Sequence, residues 1–403
     1  MTDYLTRLLP GTGGTIKQSP ADFLVEELPL YLPCGSGEHL YLLVEKTGLT
    51  THELLRQLAR ACSIRERDIG YAGLKDANAT TRQYVSLPNI TPGQIAKLNI
   101  PGVRFLSSAR HGNKLRLGHL AGNRFSIRIR GVVADAANRA RDILQVLETL
   151  GVPNRFGEQR YGVLGNSHLI GKALLQLDYP LAATLIIGDP EQISNPRWRE
   201  AAARFHAGEL TEALNLFPGR FRDERRLIQH LLDGKSYRQA ILELPRNILR
   251  LYVSAFQSSL FDRLVAMRLD SLERLWPGDL AMKHDNGACF SIVDPAAEQP
   301  RADRLEISPT APLYGHKVKL ASGQTGILEQ SLLDKEALKL SDFKLPGGLS
   351  MAGERRPLRV PVQQVSVTAD QQDLIVGFVL PRGSFATSVL HEVIKPATEQ
   401  PVD

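Results

Sequence analysis

The segment Gly70-Tyr-Ala-Gly-Leu-Lys-Asp-Ala-Asn-Ala-Thr-Thr-Arg-Gln-Tyr84 sets one carboxylate, Asp76, among glycines, hydroxyls and amides, with no second acid in the segment. A lone acid in such surroundings suits a nucleophile better than a metal ligand, since hard cations are held by several oxygen donors. A phosphate-cradling loop would need Gly-Lys followed by Ser or Thr, whereas Lys75 follows Leu74 and precedes an acid. Two-carboxylate glycosidase chemistry would require a partner acid from elsewhere in the chain. The plainest alternative is an exposed turn that caps a helix.

The run from Gly70 to Gln83 resembles the signature of the tRNA pseudouridine synthase D (TruD) family, in which the aspartate of Gly-Leu-Lys-Asp attacks the target nucleotide. Five further stretches resemble that family's motifs in order: Lys17-Gln-Ser-Pro-Ala-Asp-Phe-Leu-Val-Glu26, Gly122-Asn-Arg-Phe-Ser-Ile-Arg-Ile-Arg130, Val152-Pro-Asn-Arg-Phe-Gly-Glu-Gln-Arg-Tyr-Gly162, Ala255-Phe-Gln-Ser-Ser-Leu-Phe-Asp-Arg-Leu264 and Leu380-Pro-Arg-Gly-Ser-Phe-Ala-Thr387. The resemblance implies an α/β (α+β) pseudouridine-synthase core with a mixed, largely antiparallel sheet flanked by helices, interrupted by a mostly helical inserted domain. It implies tRNA as partner, uridine 13 of the D-arm as target, and no cofactor or metal.

Bulk properties are compatible with that reading. The 403 residues, 43% of them hydrophobic, suffice for a buried core, and length alone makes two domains the natural expectation. A net charge of +6 and a pI near 9.2 agree with a polyanionic partner without requiring one. Cys34, Cys62 and Cys289 lie far apart, without paired metal-ligand spacing, so a reducing compartment is the simplest inference. With no secretory signal pattern and no membrane-length apolar run, a cytoplasmic protein, monomeric by default, is expected.

The elements that must position Asp76 are partly readable. His39 to Glu45 reads as a strand, and Thr50 with Glu53 forms a capping box before Leu54, Leu55, Leu58 and Cys62 at helical spacing. Phe125, Ile127 and Ile129 alternate with Arg124, Ser126, Arg128 and Arg130, after which Asp135 can cap a helix carrying Ala140, Ile143, Leu144 and Leu147 that ends at Gly151. One strand face is greasy and the other cationic. From about Asn154 to residue 345 the pattern is mostly helical, including Trp198 to Leu216, Glu224 to Leu232 and Ile248 to Leu269, with a Pro-rich mixed stretch from Asp294 to Tyr314. Strand signals return in Val362 to Val367 and Leu374 to Val379. The expected organisation is therefore residues 1–153 and 346–403 as one discontinuous catalytic core, with 154–345 inserted.

Converting uridine to pseudouridine needs a nucleophile, a hold on the detached base and a dry pocket. Asp76 supplies the nucleophile if a cation keeps it ionised. Lys75 is adjacent, but neighbours on an extended segment point to opposite sides, so Lys75 is free to face phosphate, and Arg124 or another arginine is a candidate counter-ion. The base must leave the stack to reach the carboxylate. By resemblance Phe125 takes the place of a stacking aromatic, and Phe23 and Phe385 correspond to further substrate contacts; a phenylalanine in an alternating strand is otherwise most often core. Asn123 shares the face of Phe125 and offers amide groups to uracil or ribose. Arg128, Arg130, Arg155 and Arg160, with Lys17 and Lys114, are candidate phosphate contacts, and Gln18, Thr80 and Gln83 candidate sugar or backbone contacts. Gln257 and Ser258 match a family motif and have either a substrate-side or a structural role.

The chain departs from the family pattern at Asp262, where Phe-Asn is more usual, at Arg155 in place of an aromatic, and at Ala311 in place of a glycine. None falls in the catalytic segment. Two other functions fit the sequence: a non-catalytic RNA-binding or RNA-folding protein on the same scaffold, against which an intact Asp76 argues, and a hydrolase that releases free base. The two possible points of attack, C1′ of the ribose and C6 of the ring, both stand open at this level.

Overall fold

The computed structural model describes residues 4–395 and divides into two compact units, Met1–Val152 with Val360–Asp403, and Pro153–Arg359. The chain passes back to the first unit at Val360, later than the expected return at 346, because the strand Glu354–Pro357 pairs with Ile307–Leu313 inside the second unit.

The first unit is built on an eight-stranded sheet. Its strands are β1 (Phe23–Pro29), β2 (His39–Thr47), β3 (Gly70–Tyr71), β4 (Thr80–Pro88), β5 (Val103–His111), β6 (Leu120–Ile129) and the C-terminal hairpin Gln363–Asp370 and Asp373–Pro381. From one edge the order is Gln363–Asp370, Asp373–Pro381, β6, β1, β4, β2, β5, with β3 pairing on β4. Among the described residues only the β1–β4 pair of this sheet is parallel; its other pairings are antiparallel. The sheet is thus mixed and largely antiparallel, as the sequence implied.

Register places side chains in rows. Lys46 lies opposite Thr81, Thr81 opposite Val25, Val25 opposite Phe125 and Phe125 opposite Phe378. Because side chains alternate with period two, these residues share one face. On one half of that face, Phe23, Val25, Phe125, Ile127 and Phe378 pack with Ile143, Leu144 and Leu147 of a helix over Ala136–Leu150 and with Val389 and Val393 of the helix Ala386–Ile394. On the other half, Leu40, Leu42, Val44 and Val85 pack with Leu54, Leu55 and Leu58 of α1 (Thr51–Ala61). The capping box expected at Thr50 is present, Thr50 Oγ1 accepting from Glu53 N at 3.1 Å while Glu53 Oε2 accepts from Thr50 N at 2.9 Å. Asp135 does occupy the N-cap of Ala136–Leu150 but makes no side-chain cap bond; its Oδ1 accepts from Asn138 Nδ2 at 2.7 Å instead.

The opposite face carries an ion-pair ladder. Glu45 joins Arg82 at 2.8 Å and Arg104 at 3.1 Å, Arg124 meets Glu26 at 3.5 Å, and Arg128 meets Asp370 at 2.7 Å and Asp373 at 3.0 Å. Arg130 pairs with Asp22 at 2.7 Å. The expected cationic face is therefore largely neutralised, and Arg128 and Arg130 spend their charge on these acids rather than presenting it to phosphate.

In the second unit most of the chain is helical around Arg246–Met267, alongside a four-stranded sheet. The expected single helix from Trp198 to Leu216 is two, Pro196–His206 and Leu210–Leu216, separated where Gly208 takes φ +80°. The two family-like motifs of this unit hold each other: Asp262 accepts from Phe156 N at 2.9 Å and from Tyr161 Oη at 2.6 Å, and Arg160 Nε donates to Ser258 Oγ at 3.0 Å. Gln257 Nε2 donates to the carbonyl of Tyr314. Ser258 and Gln257 are both buried.

Leu144 is fully buried beneath the C-terminal hairpin. Leu144→Ala should lower the unfolding free energy by about 2–5 kcal/mol through lost burial and a residual cavity, read from urea titration followed by circular dichroism.

Candidate active site

The Asp76 segment leaves the sheet at β3 and re-enters it at β4. Gly70 pairs with Ser86, and an added Cβ would lie 2.3 Å from the carbonyl oxygen of Leu115 and 2.4 Å from Ser86 Oγ, so only glycine fits this crossing. Between the strands, Lys75 N donates to Thr51 Oγ1 at 2.9 Å, and Thr51 Oγ1 donates to Gln83 Oε1 at 3.1 Å. The first residue of α1 thus ties the segment to β4. Asp76 Oδ1 accepts from Asn78 N at 3.1 Å, a local turn closed by the carboxylate itself.

The other Asp76 oxygen accepts from Lys17 Nζ at 2.6 Å. Lys17 takes a left-handed φ of +60° and places its ammonium 4.7 Å above the centre of the Phe23 ring. Such a conformation costs a non-glycine residue free energy and is found where surroundings impose it, often at functional sites. The Asp76 side chain is 38% exposed, against 17% for Lys17. Partial burial works to raise the Asp76 pKa, but the bonds from Lys17 and Asn78 and the Lys17 charge outweigh it and hold the carboxyl below its ordinary value. It is an anion, half-open to solvent.

Two further lysines lie beneath it. Lys46 Nζ donates to the carbonyls of Leu49 at 2.5 Å and Asp76 at 3.1 Å and is almost wholly buried. Burial pushes its pKa down to about 8, with Asp76 opposing and Lys75 reinforcing the shift. Lys75 Nζ donates to Asn123 Oδ1 at 2.5 Å and lies 3.4 Å from Glu27 Oε2. Burial drives Glu27 up and Lys75 down, and their mutual attraction only partly restores the charged forms. Next to them, Thr81 Oγ1 and Gln83 Nε2 are buried without a hydrogen-bond partner among the described residues. Lys46, Thr81, Gln83, Glu27, Lys75 and Asn123 make a polar strip between the two apolar halves of one sheet face.

The residues expected at the site separate on this frame. Asp76, Lys75 and Asn123 converge. Phe23 is 5% exposed with its ring under Lys17 and its edge toward Phe125, ring centres 6.4 Å apart. Phe125, 7% exposed, lies between Phe23 and Phe378 in the core, so its ring is not open for a base to stack on. Phe385, 39% exposed, sits at the N-cap of Ala386–Ile394 just past the strand that pairs with Gly122 and Asn123. Arg124 points to the opposite face, where it meets Glu26 and Gln364, so it is not the counter-ion of Asp76; Lys17, expected to touch phosphate, takes that position. Glu27, Lys46 and Thr51 were not anticipated. A signal existed: Glu27 is in phase with Phe23 and Val25, and Lys46 with Leu42 and Val44, charges where an alternating strand should be apolar.

The arrangement defines a class of site: an ionised, partly exposed carboxylate over a polar strip of a mixed sheet, held by lysines rather than by a second acid. A family model described as tRNA pseudouridine synthase D (TruD) matches residues 1–393. A curated tRNA pseudouridine synthase D from Syntrophotalea carbinolica is 59% identical over 98% of this chain and 99% of its own length, and one from Geobacter metallireducens is 56% identical over 97% of each. A crystal structure assigned to tRNA pseudouridine synthase D from Methanosarcina mazei superposes with a TM-score of 0.83 at 27% identity, over 98% of this chain and 96% of that one. The chain belongs to the TruD family.

Lys46 provides a check on the buried charge. Its folded pKa, about 8, lies below the 10.5 of an unperturbed lysine, so between these values the unfolded chain holds the extra proton and stability contributed at this position rises with pH. The unfolding free energy of the wild type relative to Lys46→Met should therefore increase between pH 8 and 10, measured by urea titration of both proteins.

Proposed function

We propose that this protein is a cofactor-independent tRNA pseudouridine synthase that isomerises uridine 13 of the D-arm, with Asp76 as nucleophile acting on an extruded base. The observation that carries the proposal is the 2.6 Å contact from Lys17 to a carboxylate that still keeps 38% of its surface open. One oxygen is fixed and charged while the group stays reachable, as a nucleophile requires. The relatives' names supply the substrate and the reaction.

The reaction is an isomerisation with nothing added. The C1′–N1 bond breaks, a C1′–C5 bond forms, and the proton on C5 is replaced by one on N1. Attack by Asp76 at C1′ or at C6 begins from the same ionised oxygen. Lys17 stabilises that oxygen; Lys46 fixes the Asp76 carbonyl; Lys75, clamped by Asn123 and Glu27, fixes the preceding residue. Thr81 and Gln83 are buried, 1% and 0% exposed, so they lie out of reach of ribose and uracil. Phe385 offers the exposed ring that an extruded pyrimidine needs to recover a cost of a few kcal/mol for unstacking. Phe125 supports Phe23 from within the core, and tRNA register is left to other residues than Arg124.

Asp76→Asn should lower single-turnover conversion by at least about 10³-fold while leaving tRNA binding near wild type. Carbodiimide mapping of the transcript, with chromatography for released uracil, reads the result; free base would favour a hydrolase, and equal silence of both proteins a binding role. In Lys17→Met the Asp76 carboxyl loses its stabilising cation, so the acidic limb of the kcat/KM profile should move to higher pH.

A further inference from the structure

A second constellation lies in the first unit, outside the residues around Asp76. Tyr31, Leu32, His111, Asn113, Lys114, Arg116 and His119 line a cavity of about 550 Å³. Its platform is Tyr31, stacked on His111 with ring centres 5.1 Å apart and 25° between planes, and bonded through its hydroxyl to His119 Nδ1 at 2.7 Å. His111 is braced in turn by Tyr41, ring centres 4.9 Å apart, whose hydroxyl donates to the carbonyl of Asn113 at 2.9 Å. The stack is thus anchored to the sheet.

The rest of the lining is cationic. Lys114 Nζ donates to a main-chain carbonyl, that of Arg67, at 2.6 Å, and Arg116 is exposed. Among the described residues no carboxylate lines the cavity. A ring platform with neighbouring cations and no acid is the chemistry that takes a nucleobase and its phosphate together.

The cavity is also tied to the catalytic segment. Gly118 N donates to the carbonyl of Ala72 at 2.8 Å, and Arg382 Nη1 donates to the carbonyl of Gly118 at 2.8 Å. Ala72 precedes Asp76 by four residues, a span of at most about 14 Å even when fully extended. An RNA strand with one nucleotide at Asp76 reaches this far within a few nucleotides.

We infer that the Tyr31–His111–His119 cavity is a second nucleotide subsite, which takes an unpaired nucleotide flanking the target in the same RNA strand, its base on Tyr31 and its phosphate on Lys114 and Arg116. The inference rests on the RNA-modifying reading above and adds to it a determinant of substrate choice. It predicts a preference for RNA with a single-stranded nucleotide near the target over fully paired RNA.

The test is filter retention of a tRNA transcript by the full-length protein, which needs no turnover. Tyr31→Ala should raise Kd about tenfold, with Tyr31→Phe restoring binding because the ring is kept. Lys114→Ala with Arg116→Ala should reduce the slope of log Kd against log salt by about 0.7, the value for one single-strand phosphate. Unchanged Kd in a folded Tyr31→Ala protein overturns the inference and leaves the cavity to a protein partner. Should that variant unfold in a circular-dichroism melt, exposed Arg116→Glu decides: weakened binding supports the subsite and unchanged binding overturns it. Absence of pseudouridine from the wild-type reaction would defeat the isomerase reading alone, since the Kd comparison stands without it.

Discussion

A carboxylate held ionised at the edge of a buried sheet face is the constraint on which the rest of the first unit depends. Desolvation disfavours the anion, and nearby cations must more than offset it. Lys17 does so by direct contact at 2.6 Å, and the backbone N–H of Asn78 adds a second bond to the carboxylate. The structure accepts unfavourable features to place it. Lys17 adopts a left-handed backbone, and Lys46 is buried with its pKa pushed down to about 8. These are local costs concentrated around one carboxylate, and the apolar packing on both halves of the sheet bears them.

The two faces of the sheet divide the work. On the face toward the helices, polar side chains are confined to the strip between the apolar halves, where Thr51 bonds both to Gln83 and to the Lys75 amide. On the other face, Glu26, Glu45, Asp370 and Asp373 absorb the charge of Arg124, Arg82, Arg104 and Arg128 across the strands. Cross-strand pairs of this kind set register, and a shift by one residue would carry Asn123 and Glu27 to the wrong face. The arginine-rich look of the β6 motif therefore serves the alignment of β6 with its neighbours.

Much of the frame was legible in the sequence. The β2 strand, the capped helix α1, the alternation in β6 and the returning hairpin all follow from apolar periodicity and turn chemistry, because their cores are apolar on one face. Legibility failed where function or proline interrupts that pattern. β4 buries Thr81 and Gln83 beside Val85, so its inward face does not read as hydrophobic. The strand Ile307–Leu313 contains Pro309 and Pro312, so its sequence does not read as a strand. Within the site, Asp76 and Asn123 could be found from motif and phase. The choice of Lys17 over Arg124 could not, since it depends on a turn 59 residues away in the chain bringing its ammonium to the carboxylate.

The Glu27–Lys75–Asn123 chain shows why a buried ion pair is retained where apolar residues would pack more cheaply. Burial weakens the charged form of both Glu27 and Lys75, so the pair is a poor source of stability. Its value is geometric. Lys75 is adjacent to Asp76, and clamping the Lys75 side chain inward on Asn123 and Glu27 leaves the next side chain to project the other way, toward Lys17. An apolar residue at position 75 would fill the same space without fixing that direction, because dispersion contacts are not directional whereas an ammonium bonded to an amide oxygen and a carboxylate is. The segment between β3 and β4 forms no helix or strand, and its aim is set by side-chain anchors: Thr51 on the Lys75 amide, Lys46 on the Asp76 carbonyl, and Asn123 with Glu27 on the Lys75 ammonium.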